Sequence, residues 1–238
     1  MKAIKTSNQK RTLSGIHYHL IRARRRSLAI HITKDAQVEV RAPLKLPESE
    51  IERFILDKRA WIVRSVEKMR DGVRARESFS LGFGDWVTVC GRACEIVPTA
   101  ADVPSFADGK LALPARCGAA DIQQSVIYLL KQVADRVLRE KTDYFAKRMR
   151  VTPTSVQIGN ARSRWGSCSG DDKIRYSWRI VMGDEETIDY LVVHELAHIK
   201  QHNHSRYFWD EVAAILPDYR ARRKKLRALQ ERQNREQW

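Results

Sequence analysis

The chain predicts an α+β protein: a basic, β-rich N-terminal domain (residues 1–115), then a C-terminal domain (116–238) of helices packed on a small antiparallel sheet. Three observations predict it. Short alternating or β-branched runs recur through 16–42 and again from Phe79 to Leu113, punctuated by Pro, Gly and Asp-Gly. Long helical periodicity takes over from Asp121. Between the two regimes, around 98–120, lies a stretch rich in Pro, Gly and Ala.

In chain order, Ile16 to Ile21 alternates partly, Leu28 to Ile32 follows, and Asp35-Ala36 turns the chain into Val38-Glu39-Val40. Pro43 and Pro47 close this strand region. Ser49 with Glu52 reads as a capping box. Ile51, Phe54, Ile55, Trp61, Ile62, Val66 and Met69 then repeat at helical spacing, which predicts one amphipathic helix over about 50–70. After the second strand region, Ile122, Val126, Leu129, Leu130, Val133, Val137, Phe145 and Met149 mark one face of a long helix that Pro153 stops. Residues 155–182 read as two or three strands around the turn Gly166 to Gly170. Asp184 caps a helix running to about His202. Ser205 starts a short one ending at Pro217, and a basic last helix follows from Asp218. No internal sequence repeat is visible.

The 238 residues carry a net charge of +15, much of it local. Residues 1–41 hold ten Lys/Arg against Asp35 and Glu39, and Arg220 to Arg227 holds six basic residues and no acid. Such blocks attract polyanions, so nucleic-acid contact is one expectation. The longest apolar runs, such as Leu191-Val192-Val193, are too short to span a bilayer, and Met1 to Gly15 is too polar for a signal peptide. No membrane partner and a cytoplasmic location are therefore expected. Cys90, Cys94, Cys117 and Cys168 form no CxxC pair and read as unpaired thiols. Oligomeric state leaves no mark in the sequence.

His194-Glu195-Leu196-Ala197-His198 carries the chemistry. On a helix, residues four apart are offset by about 40° around the axis and about 6 Å along it, so both imidazoles can reach one cation. Glu195 points about 100° away, beside such an ion without ligating it. An apolar lead-in of Ile188, Leu191, Val192 and Val193 makes two histidines and a glutamate on this helix hard to explain as packing, because buried polar groups need partners.

A catalytic zinc normally takes three protein ligands and keeps one position open. His202, His204, Asp210 and Glu211 are candidates for the third. His202 continues the helical series but sits about 12 Å along the axis from His194. His204 escapes this if the helix ends first. Asn203, which tolerates the left-handed conformation, supplies that ending, and Ser205 then caps the next helix. His194, His198 and His204 are thus the expected ligands of one Zn2+ (imidazoles also suit other divalent metals), with Glu195 as the base that activates a water. Arg162, Arg164 and Tyr207 are candidates for stabilising the developing oxyanion.

Three blocks extend the motif: Arg164-Trp165-Gly166-Ser167-Cys168-Ser169, Ile188-Asp189-Tyr190 leading into His194 to His198, and Asn203-His204-Ser205 with Phe208-Trp209 and Pro217. With Arg25-Arg26-Ser27 and Lys58-Arg59-Ala60-Trp61-Ile62, they resemble the YgjP-like metallopeptidase family, whose metal domain is similar to the SprT and WLM groups. The resemblance implies a zincin-like C-terminal domain, His194, His198 and His204 as ligands, and Glu195 as the base. It makes the Trp165 to Cys168 segment an edge strand and turn beside the cleft, with Arg164 as a substrate contact; Arg162 and Trp165 are further substrate-binding candidates. Gly183-Asp184 stands where that pattern would place a proline.

The foremost expectation is a zinc-dependent metallopeptidase acting on peptides or proteins. The alternative is a nucleoside triphosphate pyrophosphatase, an activity also linked to the family, using the same site. A third reading is a nucleic-acid-binding protein with a structural zinc. An open three-ligand site beside a glutamate argues against that last one.

Overall fold

The computed structural model describes residues 8–234, 236 and 238. Lys2 and Lys5 of the basic N-terminal block lie outside the described residues. The chain is α+β, as its periodicities predict. The described residues form two compact units, one reaching Phe79 and the other running from Ser80 to Gln233. The second strand region therefore packs with the C-terminal helices, although the change in composition lies later in the chain.

In the first unit, β1 (Asn8–Leu13), β2 (Ile16–Ala23), β3 (Ala29–Ile32) and β4 (Val38–Pro43) form a sheet of order β1-β2-β4-β3. The strand β1 comes in addition to the expected ones. It forms a hairpin with β2 across Ser14-Gly15, both at positive φ, which suits the right-handed strand twist. The β2–β4 pair is parallel and β3–β4 antiparallel. Alternation puts Ile16, Tyr18, Leu20, Val38, Val40 and Ala42 on one face, where they form a core with Ile51, Ile55 and Ile62.

Two helices replace the single one expected over 50–70: α1 (Glu48–Asp57) and α2 (Arg59–Glu77). Pro47 precedes α1 and no side chain caps it, so the Ser49–Glu52 box is not the start. At Lys58 the N–H bonds back to Phe54 O and Leu56 O, tightening the turn and shifting the helical phase. Trp61 consequently stays 44% exposed while Ile62 is buried.

The second unit opens with β5 (Trp86–Val89), β6 (Arg92–Thr99), β7 (Ser105–Ala107) and β8 (Lys110–Pro114), in the order β5-β6-β8-β7. Its pairing repeats that of the first sheet: hairpin, parallel pair, hairpin. Cys90-Gly91 and Asp108-Gly109 supply the positive-φ turns. The long helix α3 (Ala119–Met149) buries Ile122, Val126, Leu129, Leu130, Val133, Leu138, Phe145 and Met149, so Leu138 takes the core place expected of Val137. Left-handed Arg150 ends it, its N–H bonding to Ala146 O and Lys147 O three residues before Pro153.

The third sheet is mixed rather than antiparallel: β10 (Gly166–Cys168) pairs antiparallel with β11 (Lys173–Ser177), which pairs parallel with β9 (Ser155–Gly159). Trp178–Met182, expected as strand, is a buried 3-10 turn. Three helices follow: α4 (Glu185–Lys200), α5 (Arg206–Ile215) and α6 (Tyr219–Gln233). Asp184 caps α4 as predicted, accepting from Thr187 N at 2.8 Å. The Cys90-Gly91 turn braces that end, with Cys90 N bonding Val181 O at 2.6 Å. A Cβ on Gly91 would lie 3.3 Å from Asp184 Cα. Among the described residues no helix is long and apolar enough to cross a membrane.

Candidate metal centre

The sequence makes α4 an internal helix. Ile188, Leu191, Val192, Val193, Leu196 and Ala197 are each at most 3% exposed. Ion pairs tie it to its neighbours: Lys141 of α3 reaches Asp189 at 2.6 Å in a partly buried pair, and at the surface Lys200 reaches Glu211 of α5 at 2.8 Å. A helix fixed on several sides presents its polar residues at set positions.

His194 and His198 sit one turn apart on α4 with ring centroids 5.0 Å apart. The helix ends at Lys200, and Gln201 is extended (φ −138°, ψ 97°). Extension at Gln201, not a left-handed Asn203, turns the chain. The Asn203 side chain instead accepts the backbone N–H of Ser205 at 3.1 Å, a local turn that sets up α5. Ser205 occupies the N-cap position, but its hydroxyl makes no cap bond.

His204 is thereby carried back over α4. Its Nε2 lies 3.2 Å from His194 Nε2. Ligand atoms of His194, His198 and His204 all fall within 4.8 Å of one another, the one such group found among the described residues. Tetrahedral Zn–N bonds of about 2.0–2.1 Å would set nitrogens about 3.3 Å apart, so the spacing and the all-imidazole donor set fit a zinc-type ion. Asp210 and Glu211 stand outside the group, paired with Arg206 and Lys200. His202 is exposed and also outside it.

The protonation states suit ligation. His198 Nδ1 lies 3.1 Å from Gln201 O, which favours a proton on Nδ1 and a lone pair on Nε2. Burial, then the neighbouring His198 and His204 charges and Arg223, push His194 down to about 3, so it is a neutral imidazole at pH 7. Burial also lowers His198. Phe208, fully buried, packs its ring 4.9, 4.6 and 4.7 Å from His194, His198 and His204. Trp209 lies 5.7 Å from His204 and stacks on Tyr219. Both aromatics were visible beside His204, but sequence spacing alone carried no hint that one ring would floor all three imidazoles.

Glu195 is 5% exposed, and burial pushes its carboxyl up to about 8 against the opposing field of Arg164. The close neighbour above it is β10. A Cβ on Gly166 would lie 2.5 Å from Glu195 Oε1 and 2.8 Å from Cδ and Cγ. The missing side chain of Gly166 is what lets an edge strand lie against this carboxylate, a role that a Gly in a turn-like segment does not announce.

Arg162 and Arg164 are exposed and Trp165 is half-buried just ahead of β10. Only Arg164 of the two arginines acts on Glu195; Arg162 acts on buried Arg179. Trp165 O accepts from Ser177 N at 2.7 Å, extending the β10–β11 pairing by one rung. Tyr207 is 70% exposed. All four cysteines are free.

Two solved structures align with part of the chain. The metallopeptidase zymogen of Pyrococcus abyssi abylysin is 24% identical, over 40% of this chain and 95% of that one, with a TM-score of 0.36. The metallopeptidase zymogen of Methanocaldococcus jannaschii jannalysin is 21% identical over the same shares, with a TM-score of 0.35. No curated protein gives a significant match. The family described as YgjP-like, metallopeptidase domain matches residues 26–229, a span that holds the histidine cluster, β10, nearly all of the second unit and the first unit from β3 onward. By that match the chain belongs to the YgjP-like metallopeptidases.

Proposed function

We propose that the chain is a zinc-dependent peptidase in which His194, His198 and His204 hold the metal and Glu195 is the general base. The convergence of three imidazoles beside one buried carboxylate carries this reading. Held by these three histidines, zinc would supply Lewis acidity toward a water and a carbonyl oxygen.

The chain's own residues supply the rest. Glu195 takes a proton from the attacking water as its oxygen bonds to the scissile carbonyl carbon. It then delivers that proton to the amide nitrogen as the C–N bond breaks. Arg164, and any cation among the histidines, favours the ionised carboxylate that the first step needs. β10 lies at a sheet edge, so an extended peptide can add to it as a further strand and pass over Glu195. Arg164 is the arginine placed to contact that peptide, with Arg162 and Trp165 beside it. Apolar packing by Phe208 and Trp209 keeps the imidazoles oriented. The four free thiols fit a reducing, cytoplasmic setting.

The test compares the wild-type protein with Glu195→Gln. Both should hold about one equivalent of zinc, and only the wild type should cleave an unstructured protein such as casein. Nucleoside triphosphate hydrolysis that vanishes in Glu195→Gln, with no peptide cleavage by either protein, would overturn the assignment.

A further inference from the structure

The basic run Arg220 to Arg227 divides on folding into two faces of α6. Arg222 and Lys225 look toward the start of α4 and are neutralised there. Arg222 binds Asp218 at 2.9 Å and approaches Asp189, and Lys225 reaches Asp184 and Glu186 at 2.8 and 2.6 Å. At about 100° per residue, Arg220, Arg223 and Arg227 fall within about 60° of one another on the other side. All three are exposed, and among the described residues none has a carboxylate partner. The acids of α5 are committed elsewhere, Asp210 to Arg206 and Glu211 to Lys200.

This unpaired ridge borders the metal centre. Arg223 lies 5.2 Å over the Trp209 ring, which lies 5.7 Å from His204 and 6.0 Å from His194. Arg220 lies 5.3 Å over Tyr219, itself stacked on Trp209. The charges of Arg223 and Arg227 both reach Tyr190, whose ring is 5.8 Å from His194. Guanidinium groups laid on aromatic rings keep their outer edges free and lose little freedom on binding, which suits them to carboxylate recognition.

We infer that Arg220, Arg223 and Arg227 recognise an acidic, Asp/Glu-rich segment of the peptide or protein substrate. The inference rests on the peptidase reading, with α6 as its specificity element. Uncompensated cations one aromatic ring from the metal ligands raise the local concentration of an anionic chain and bind it in a salt-dependent way.

The experiment uses the full chain and two fluorescent peptides, identical except that the glutamates of one are glutamines in the other. Binding is measured by anisotropy on Glu195→Gln, so it does not depend on turnover, and cleavage is measured on the wild type. The acidic peptide should bind about tenfold tighter at low salt, with the difference fading at high salt. Arg220→Gln/Arg223→Gln/Arg227→Gln should bring the two peptides together, and Arg223→Glu/Arg227→Glu should favour the glutamine peptide. Circular dichroism checks that these surface variants are folded. Equal binding of the two peptides by Glu195→Gln, or a preference that survives the triple variant, overturns the inference. So does a nucleoside triphosphate that binds in a ridge-dependent way while the peptides are not distinguished. A binding preference without cleavage by the wild type leaves the ridge assignment standing and defeats the peptidase reading instead.

Discussion

Gly166→Ala isolates the placement of Glu195, the proposed base, from every other property of the site. Gly166 is not among the positive-φ glycines, so alanine meets no backbone strain there. By itself a Gly→Ala change in an extended segment stabilises by about 0.4–1 kcal/mol through the unfolded chain. The cost is steric. The new Cβ would lie 2.5 Å from Glu195 Oε1, about 0.9 Å inside ordinary contact, and it would also press on Cγ and Cδ. Since the obstructed atoms span most of the side chain, Glu195 must swing or β10 must lift. Overpacking of this kind costs about 1–3 kcal/mol, leaving a net destabilisation of roughly 1–2 kcal/mol. Displacing a catalytic group by about 1 Å costs on the order of 100-fold in rate, equivalent to about 2.7 kcal/mol. Peptide cleavage kinetics, thermal unfolding and zinc content measured together should show kcat/KM down about 100-fold, a Tm lower by a few degrees and full metal. Unchanged kcat/KM in a folded, zinc-loaded Gly166→Ala protein refutes the placement of Glu195 under β10.

Further outcomes follow from the same geometry. If His204 is a ligand, His204→Ala should lose most bound zinc in dialysis against chelator while α4 keeps its helicity, because His204 lies in the turn after the helix. Phe208→Ala empties a fully buried site under three imidazoles, and should cost about 3–5 kcal/mol in denaturant unfolding along with metal affinity. Asp184→Ala removes the cap of α4 and should cost about 1 kcal/mol at pH 7. Burial works to raise the Asp184 carboxyl, but bonds from Lys225 and Thr187 and the Lys225 charge outweigh it and lower the pKa. A depressed folded pKa contributes stability above the unfolded value near 3.9 and loses it as pH falls through the folded value. The penalty of Asp184→Ala should therefore shrink below about pH 4, as urea titrations at several pH values will show.

What the sequence determined by itself is whatever depends on neighbours a few positions away. Helical spacing put His194 and His198 on one side of α4, the Asp184 cap set its start, and period-2 alternation marked the strands of the first unit. The residue that must leave the helix to join them is also visible: one ion cannot bridge two helical turns, which favours His204 over His202. The chain turns at Gln201, two residues before Asn203, since several backbone routes end a helix and only packing selects one.

Long-range placement was decided by tertiary structure alone. Both four-stranded sheets share one connectivity without any visible repeat, because pairing order follows from backbone bonding and crossover geometry, to which many sequences are equivalent. The absent Cβ of Gly166 matters only because Glu195 arrives beneath it from a helix 29 residues further on. The basic run of α6 reads as uniform charge until folding brings Asp184, Glu186 and Asp189 to one of its faces and an aromatic stack to the other. Spacing along a chain encodes direction around a helix or strand; which surfaces then meet is settled by burying the most apolar area with every polar group partnered.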